Sequence, residues 1–320
     1  MIKLDQIDNN ILFELDRDAR RSVKEIAKIL KLKRDTVAYR IKQLEQNKII
    51  SSYYTVIDYS KLGYTLMRLY LKFQDTTLET EKSMIDDLIS SKYNFTVYKT
   101  EGDWDVALGF LVKSLEDFNN YYLSFKEKYR KYINSQSQAI FLDHIQYFRN
   151  YLVEDKLKDY SSYSTGKYKK IDFDKTDIEI LKLISKNAKI NLLVLAKKLN
   201  LTSMAISYRI KQLEKNKIIL GYRALIDYSK FGYEYYKIDL EIEDVTKLKQ
   251  LQNFAKHHDN IVFENRTIGG SDFEFDAELK GYESFYKLIE EIKTKFPGII
   301  RTYKYYKARK IYKYVYFPEE

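Results

Sequence analysis

Residues 39–50 read YRIKQLEQNKII and residues 208–219 read YRIKQLEKNKII, so eleven of twelve letters return after 169 positions. Working outward, residues 4–64 align with 173–233 at that offset without a gap, and IDYSKLGY at 57–64 returns as IDYSKFGY at 226–233. Beyond that the offset becomes 167, pairing Gly102 with Gly269, Asp105 with Asp272 and Phe118 with Phe285. The 320-residue chain is therefore one unit written twice. The run EDKLKDYSSYSTGKYKK at 154–170 is polar, Ser-rich and aperiodic, which suits a linker.

Each unit changes its apolar period at a definite place. Ile7, Ile11, Leu12 and Leu15, then Val23, Ile26, Ala27 and Leu30, then Val37, Ile41 and Leu44 recur at helical spacing. The second unit repeats this with Ile180, Leu181 and Ile184, then Leu192, Leu195, Ala196 and Leu199, then Ile206, Ile210 and Leu213. Three short helices followed by extended IISSYYTVIDY or IILGYRALIDY give the order of a winged helix-turn-helix. The rest of the first unit reads as a strand at 65–74, a helix at 79–91, strands at 94–100 and 104–112, a helix at 115–131 and a strand at 137–148. That is βαββαβ, the ferredoxin-like arrangement, and the second unit follows suit. The expected class is α+β, with winged helices at 1–60 and 171–229 and ferredoxin-like domains at 61–153 and 230–320 on either side of a 154–170 linker.

Composition narrows the function. A formal charge of +10 favours a polyanionic partner. The absence of Cys removes disulfides and thiolate metal sites, and with no export signal visible at MIKLDQIDNN a cytoplasmic location is expected. No apolar run approaches the ~20 residues that span a bilayer, so no membrane partner is expected.

The third helix concentrates the charge. Residues 31–48 hold six Lys/Arg against two Asp/Glu, and residues 200–217 hold four against one. With Val37, Ile41 and Leu44 turned inward, Asp35, Thr36, Tyr39, Lys42 and Gln43 fall on the opposite face, and Arg34 sits at its N-terminal end. A helix in the major groove reads bases with such N-terminal residues and holds phosphates with flanking cations, which points to double-stranded DNA. The candidate DNA-binding residues are Lys33, Arg34, Asp35, Thr36, Tyr39, Arg40, Lys42 and Gln43, with Thr202, Ser203, Met204, Ala205, Tyr208, Arg209, Lys211 and Gln212 in the second unit. Glu45 and Glu214 are expected to pair within their own domains instead.

With these segments in place, the chain resembles the Lrp/AsnC family of transcription regulators, twice over. The anchors are LDQIDNNILFELDRDARRSVKEIAKIL, TVAYRIKQLEQNKII and the loop GDWD at 102–105, matched by DKTDIEILKLISKNAKINLLVLAKKL, AISYRIKQLEKNKII and GGSD at 269–272. The resemblance implies a winged helix joined to a ferredoxin-like effector domain, pairing of effector domains, and an amino-acid effector near Gly102, Asp103, Asp105, Gly269, Ser271 and Asp272. The plain alternative for these loops is a hairpin whose Gly supplies an unusual backbone angle and whose Asp caps the turn. The family has Ser or Thr at the recognition-helix N-cap; Thr202 fits, whereas Lys33 cannot accept that bond. Fusing two units implies an intramolecular pseudo-dimer that reads two half-sites, with a higher homo-oligomer open to it.

The competing enzyme reading is a siroheme decarboxylase, which shares this architecture and is sometimes encoded as two fused units. Acid/base work would fall to His144, His257 or His258, and under the 167 offset these pair with Ile311, Ser90 and Ser91, so no His recurs. No cofactor or metal site is expected, and the chain is read as a regulator and not an enzyme. Single-stranded RNA binding through RTYKYYKARKIYKYVYF at 301–317 would need an open sheet face, which paired family sheets do not offer.

Overall fold

A computed structural model of the chain describes residues 2–166, 171–314 and 317. In the first unit α1 (Gln6–Arg17) opens with a capping box between Asp5 and Asp8, which satisfies amides that a helix start leaves orphaned. A second box, Ser22 with Glu25, opens α2 (Val23–Leu30), and Lys31 ends it in the left-handed region at φ 56°. Then α3 (Arg34–Gln46) buries Val37, Ile41 and Leu44, one row of the helical repeat. After β1 (Ile50–Ile57), Asp58 caps a 3-10 turn that Gly63 closes at φ 83°. The unit continues as β2 (Thr65–Phe73), α4 (Leu78–Ser90), β3 (Asn94–Gly102), β4 (Val106–Val112), α5 (Leu115–Tyr129) and β5 (Ile133–Tyr147).

A short strand, β6 (Ser162–Thr165), lies in the tether. The second unit then repeats the order with α6 (Lys175–Lys186), α7 (Leu192–Leu199), α8 (Ser203–Lys215), β7 (Ile219–Ile226), β8 (Glu234–Ile242), α9 (Leu248–His257), β9 (Ile261–Ile268), β10 (Phe273–Leu279), α10 (Tyr282–Lys295) and β11 (Ile300–Tyr314). Met1, the end of the expected linker at 167–170, and 315–316 and 318–320 of the expected second effector domain lie outside the described residues.

The strands join into one antiparallel sheet in the order β2-β4-β3-β11-β8-β10-β9-β5-β6, and β2 also pairs with β5. Eight strands therefore close on themselves, with β6 as an appendage. The closure explains why β5 begins at 133 and not at the expected 137. Its first half pairs with β2 as far as Ile140, and from Ile140 it pairs with β9 of the other unit. The first half of β11 likewise pairs with β8 and its second half with β3. Two 15-residue strands thus bind the units by backbone hydrogen bonds and leave neither half-sheet an open edge on these sides.

Helices cover the outside. Leu251, Phe254, Leu288, Ile289 and Ile292 of α9 and α10 pack on Phe273, Phe275, Ala277 and Leu279 of β10. The alternate residues Glu274, Asp276 and Glu278 are equally buried but point the other way, between the two halves. There the Arg68 guanidinium meets Glu274 in a bidentate pair (Nη2 to Oε1, 2.6 Å), and Lys237 bonds Asp239 and lies 3.8 Å from Asp276. Tyr70 and Tyr306 meet edge to face at 5.2 Å beside Trp104.

The winged helices form a second joined body. β1 pairs antiparallel with β7, with Tyr54 opposite Arg223, so the strand after each recognition helix finds its partner in the other unit. The turn after each first helix follows suit: Ala19 N–H donates to Tyr222 O and Ala188 N–H to Tyr53 O, both at 2.9 Å. One apolar core runs through both trihelical domains. The tether is not slack either. β6 pairs with β5 through His144–Tyr147, and the Tyr163 ring lies where any side chain at Gly221 of β7 would stand. Backbone pairing does not depend on the Ser-rich composition that suggested a free linker.

Where the winged-helix pair meets the barrel, Asp16 is fully buried between two guanidiniums, Arg223 (2.7 Å) and Arg149 (2.6 Å), and Arg149 reaches Glu278 at 2.8 Å. Burial alone would raise the Asp16 carboxyl, but Arg223 and Arg149 hold it below the usual carboxylate range.

Candidate nucleic-acid interface

The two recognition helices are built alike and finished differently. At α8 the Thr202 Oγ accepts the Ala205 amide at 3.1 Å, the N-cap bond expected there. Lys33, at the same place on α3, makes no side-chain cap. On α3, Lys33, Arg34, Asp35, Tyr39 and Lys42 are exposed, and Thr36 and Gln43 are half-buried beside them. On α8, Thr202, Met204, Tyr208 and Lys211 are exposed, with Ser203, Ala205 and Gln212 half-buried. One outward face on each helix therefore carries these residues.

Arg40 and Arg209 are used differently. Arg40 Nη1 lies 2.8 Å from Asp5 and 3.1 Å from Asp8, and Arg209 Nη1 lies 2.8 Å from Asp174 and 2.9 Å from Asp177. Each guanidinium clamps the recognition helix to the capping box that starts the first helix of its own unit. Both are paired within their own unit in this geometry.

Glu45 and Glu214 do stay within the protein, each against a tyrosine, and Glu214 also lies 4.0 Å from Arg20. Tyr53 and Tyr222 donate their hydroxyls to Glu45 and Glu214, each at 2.6 Å. Burial, with the carboxylate beside it, pushes the Tyr53 phenol far above its ordinary value. A cation from the other unit covers each ring: Lys189 lies 3.7 Å from the Tyr53 ring centre and Arg20 3.7 Å from that of Tyr222. Sequence reasoning missed this pair of contacts, although both the tyrosines and the cations recur at the 169 offset. Together with the β1–β7 ladder they fix each recognition helix against the opposite unit.

The candidate effector loops lie on the seam between the units, where their carboxylates are already engaged. Asp105 accepts the Phe73 amide (2.8 Å) and lies 3.2 Å from Lys72, and Asp272 accepts the Ile242 amide at 3.0 Å. Asp103 accepts the Tyr305 amide of the other unit at 2.8 Å. The Ser271 amide donates to Glu274 at 2.8 Å. Gly102 has φ +123°, and a side chain there would stand 2.7 Å from Tyr305 O. Gly269 is left-handed at φ +81°, with Gln138 O of the other unit close by. The loops thus behave as capped hairpins that lock the seam. A groove of about 830 Å³ lies elsewhere, between Tyr160 of the tether and α9 and α10, and none of the six loop residues lines it.

His144 lies apart from the adjacent His257 and His258. His144 is inside the barrel, its Nδ1 2.6 Å from Asn265 Oδ1 and its ring stacked on Phe263, and burial lowers it to about 4. His257 bonds Asn253 O and His258 faces Glu291 on the outer helices. Among the described residues no three His, Asp or Glu side chains are grouped to hold a metal ion, and no helix is long and apolar enough to cross a membrane.

Comparison with known proteins agrees with this geometry. The pattern of the AsnC-type helix-turn-helix domain matches residues 4–45, and that of the winged helix-turn-helix DNA-binding domain matches residues 173–219. An uncharacterised HTH-type transcriptional regulator of Pyrococcus furiosus is 33% identical over 122 residues, which cover 38% of this chain and 80% of that protein. The HTH-type transcriptional regulator LrpC of Bacillus subtilis is 45% identical over 62 residues, 19% of this chain and 43% of that protein. The crystal structure of the siroheme decarboxylase NirDL matches 98% of this chain and 94% of its own, with TM-score 0.65 and 12% identity, a likeness of fold alone.

Proposed function

Because the chain belongs to the Lrp/AsnC family of helix-turn-helix transcription regulators, we propose that it is a sequence-specific binder of duplex DNA in which one chain supplies both half-site readers. The observation that carries this is the β1–β7 ladder, which holds α3 and α8 in one body, each with an exposed outward face. The barrel halves are read as ferredoxin-like effector domains, supported by the order β5-β2-β4-β3 in one and β11-β8-β10-β9 in the other. Lys42 and Lys211 would meet phosphates, so affinity must fall steeply with salt as counterions are released. Gel-shift titration across a salt series tests this. Equal affinity for every duplex, or no binding at low salt, contradicts it.

The two readers are unlike, so the preferred site has unequal halves about one helical turn apart. Arg34 can bond guanine O6 and N7 together, and neither Ser203 nor Met204 can reproduce that. An amino-acid effector acting at the seam loops is a second part of the proposal, supported by their position between the units. A thermal-shift screen of the amino acids tests it, and absence of any shift leaves the loops as capped turns. Higher homo-oligomers are compatible with this assembly. The siroheme-decarboxylase alternative rests on fold likeness, and titration with siroheme is expected to leave the spectrum of the ligand unchanged.

A further inference from the structure

The first turn of α8 is apolar where the first turn of α3 is charged. Met204 is 82% exposed, flanked by the small side chains of Ser203 and Ala205, and its counterpart on α3 is Asp35. Thr202 is committed to the N-cap bond. Tyr208 follows Met204 by four residues, so the two project from the same face, and Tyr208 is 63% exposed. Lys211, also exposed, follows one turn later. The outward face of α8 is thus an apolar ledge followed by a cation.

In the major groove, hydrogen-bonding groups mark every base pair, but only thymine presents an apolar group, its C5 methyl. A protruding methionine beside small neighbours can reach such methyls and has nothing to offer guanine O6 or N7. On α3, by contrast, Arg34 suits guanine, and the Asp35 carboxylate can accept from cytosine N4. We propose that α8 reads a thymine-rich half-site by apolar contact of Met204 with C5 methyl groups, whereas α3 reads a G·C-containing half. This rests on the DNA-reading role proposed above.

The experiment uses the full chain and a duplex obtained by in vitro selection. The α8 half is the one whose base preference survives Arg34→Ala. Deoxyuridine, which lacks only the methyl, replaces thymidine in one half at a time. Each contacted methyl removed from the α8 half should weaken binding about fourfold, the worth of one buried methylene-sized group. The same change in the α3 half should have little effect, and Met204→Ala should abolish the sensitivity while Arg34→Ala keeps it. Equal sensitivity in both halves, no sensitivity, or sensitivity that persists in Met204→Ala overturns the inference while leaving selective DNA binding intact. Failure of the unmodified protein to select any duplex overturns the DNA-reading role and this inference with it.

Discussion

The two junctions between winged helices and barrel occupy matching places in the duplicated chain, yet among the described residues only one carries a buried ionic network. On one side Asp16, Arg223, Arg149 and Glu278 form a buried network. At the matching positions stand Ser185 for Asp16, Tyr54 for Arg223 and Leu111 for Glu278, all buried. Between the half-sheets Arg68 and Lys237 hold equivalent places in β2 and β8, but the carboxylates are one-sided, with Tyr70, Ala107 and Gly109 standing where the second unit has Asp239, Glu274 and Asp276. The units agree where each folds on itself, as in Val37, Ile41 and Leu44 against Ile206, Ile210 and Leu213. They differ at the junction of winged helices and barrel and along the barrel interior. Pairing two second units would bury Asp239, Glu274 and Asp276 twice with only Lys237 of each unit against them and without Arg68, an excess of buried negative charge that is unfavourable. The divergence therefore specifies unlike pairing.

The largest expected effect breaks that comparison at its ionic side. Arg223→Ala leaves Asp16 without one of its two guanidiniums, and should cost about 3–5 kcal/mol in urea denaturation. Ser185→Ala, at the matching place of Asp16, removes a hydroxyl that bonds only Lys182 O of its own helix, and should cost about 1 kcal/mol or less. Equal losses would mean that the network carries no special weight.

Next come the readers. Arg34→Ala should remove about 1–3 kcal/mol of discrimination in one half-site only, as scored by binding to a panel of single-base variants. Lys42→Ala should instead weaken binding to all sequences alike and lower the salt slope by about 1. Relaxation in both halves after Arg34→Ala would erase the distinction between α3 and α8.

The smallest effect concerns pH. Burial raises Asp276 to about 6 and lowers His144 to about 4, and the groups are linked through Asn265, which bonds both. Facing them are Lys237, Asp239, Glu274 and Tyr235, with Arg223 also acting on His144. The raised Asp276 contributes stability that is present at low pH and lost as pH rises through about 6. The lowered His144 works oppositely, its contribution being lost as pH falls from the ordinary histidine range toward about 4. In the native protein the two oppose each other across that window. Relative to it, His144→Gln should gain stability on acidification and Asp276→Asn should lose it, by on the order of 1–2 kcal/mol, read from urea midpoints between pH 4 and 7. Parallel profiles for all three proteins would contradict this.

Much of this was legible because helical periodicity and capping are local. The rows through Val37 and Ile206, the Thr202 cap and the failure of Lys33 to cap follow from neighbouring residues alone. Barrel closure was not, since an edge strand carries no mark of which unit it will pair with. The charges of β8 and β10 alternate with apolar residues just as a solvent-facing side does, yet here that side faces the other half-sheet. The ion pairs of Arg40 and Arg209 were hidden for a related reason: a cation on a recognition helix looks the same in sequence whether or not it reaches a capping box.

The central claim is that one chain reads DNA with two unlike helices fixed in one body. In vitro selection from a random duplex library with the full-length protein, followed by alignment of the recovered sites, tests it most directly. The account predicts two unequal half-sites about one helical turn apart, one of them carrying a G·C pair whose preference disappears in Arg34→Ala. Recovery of a perfect palindrome, with both halves altered equally by Arg34→Ala, would contradict it.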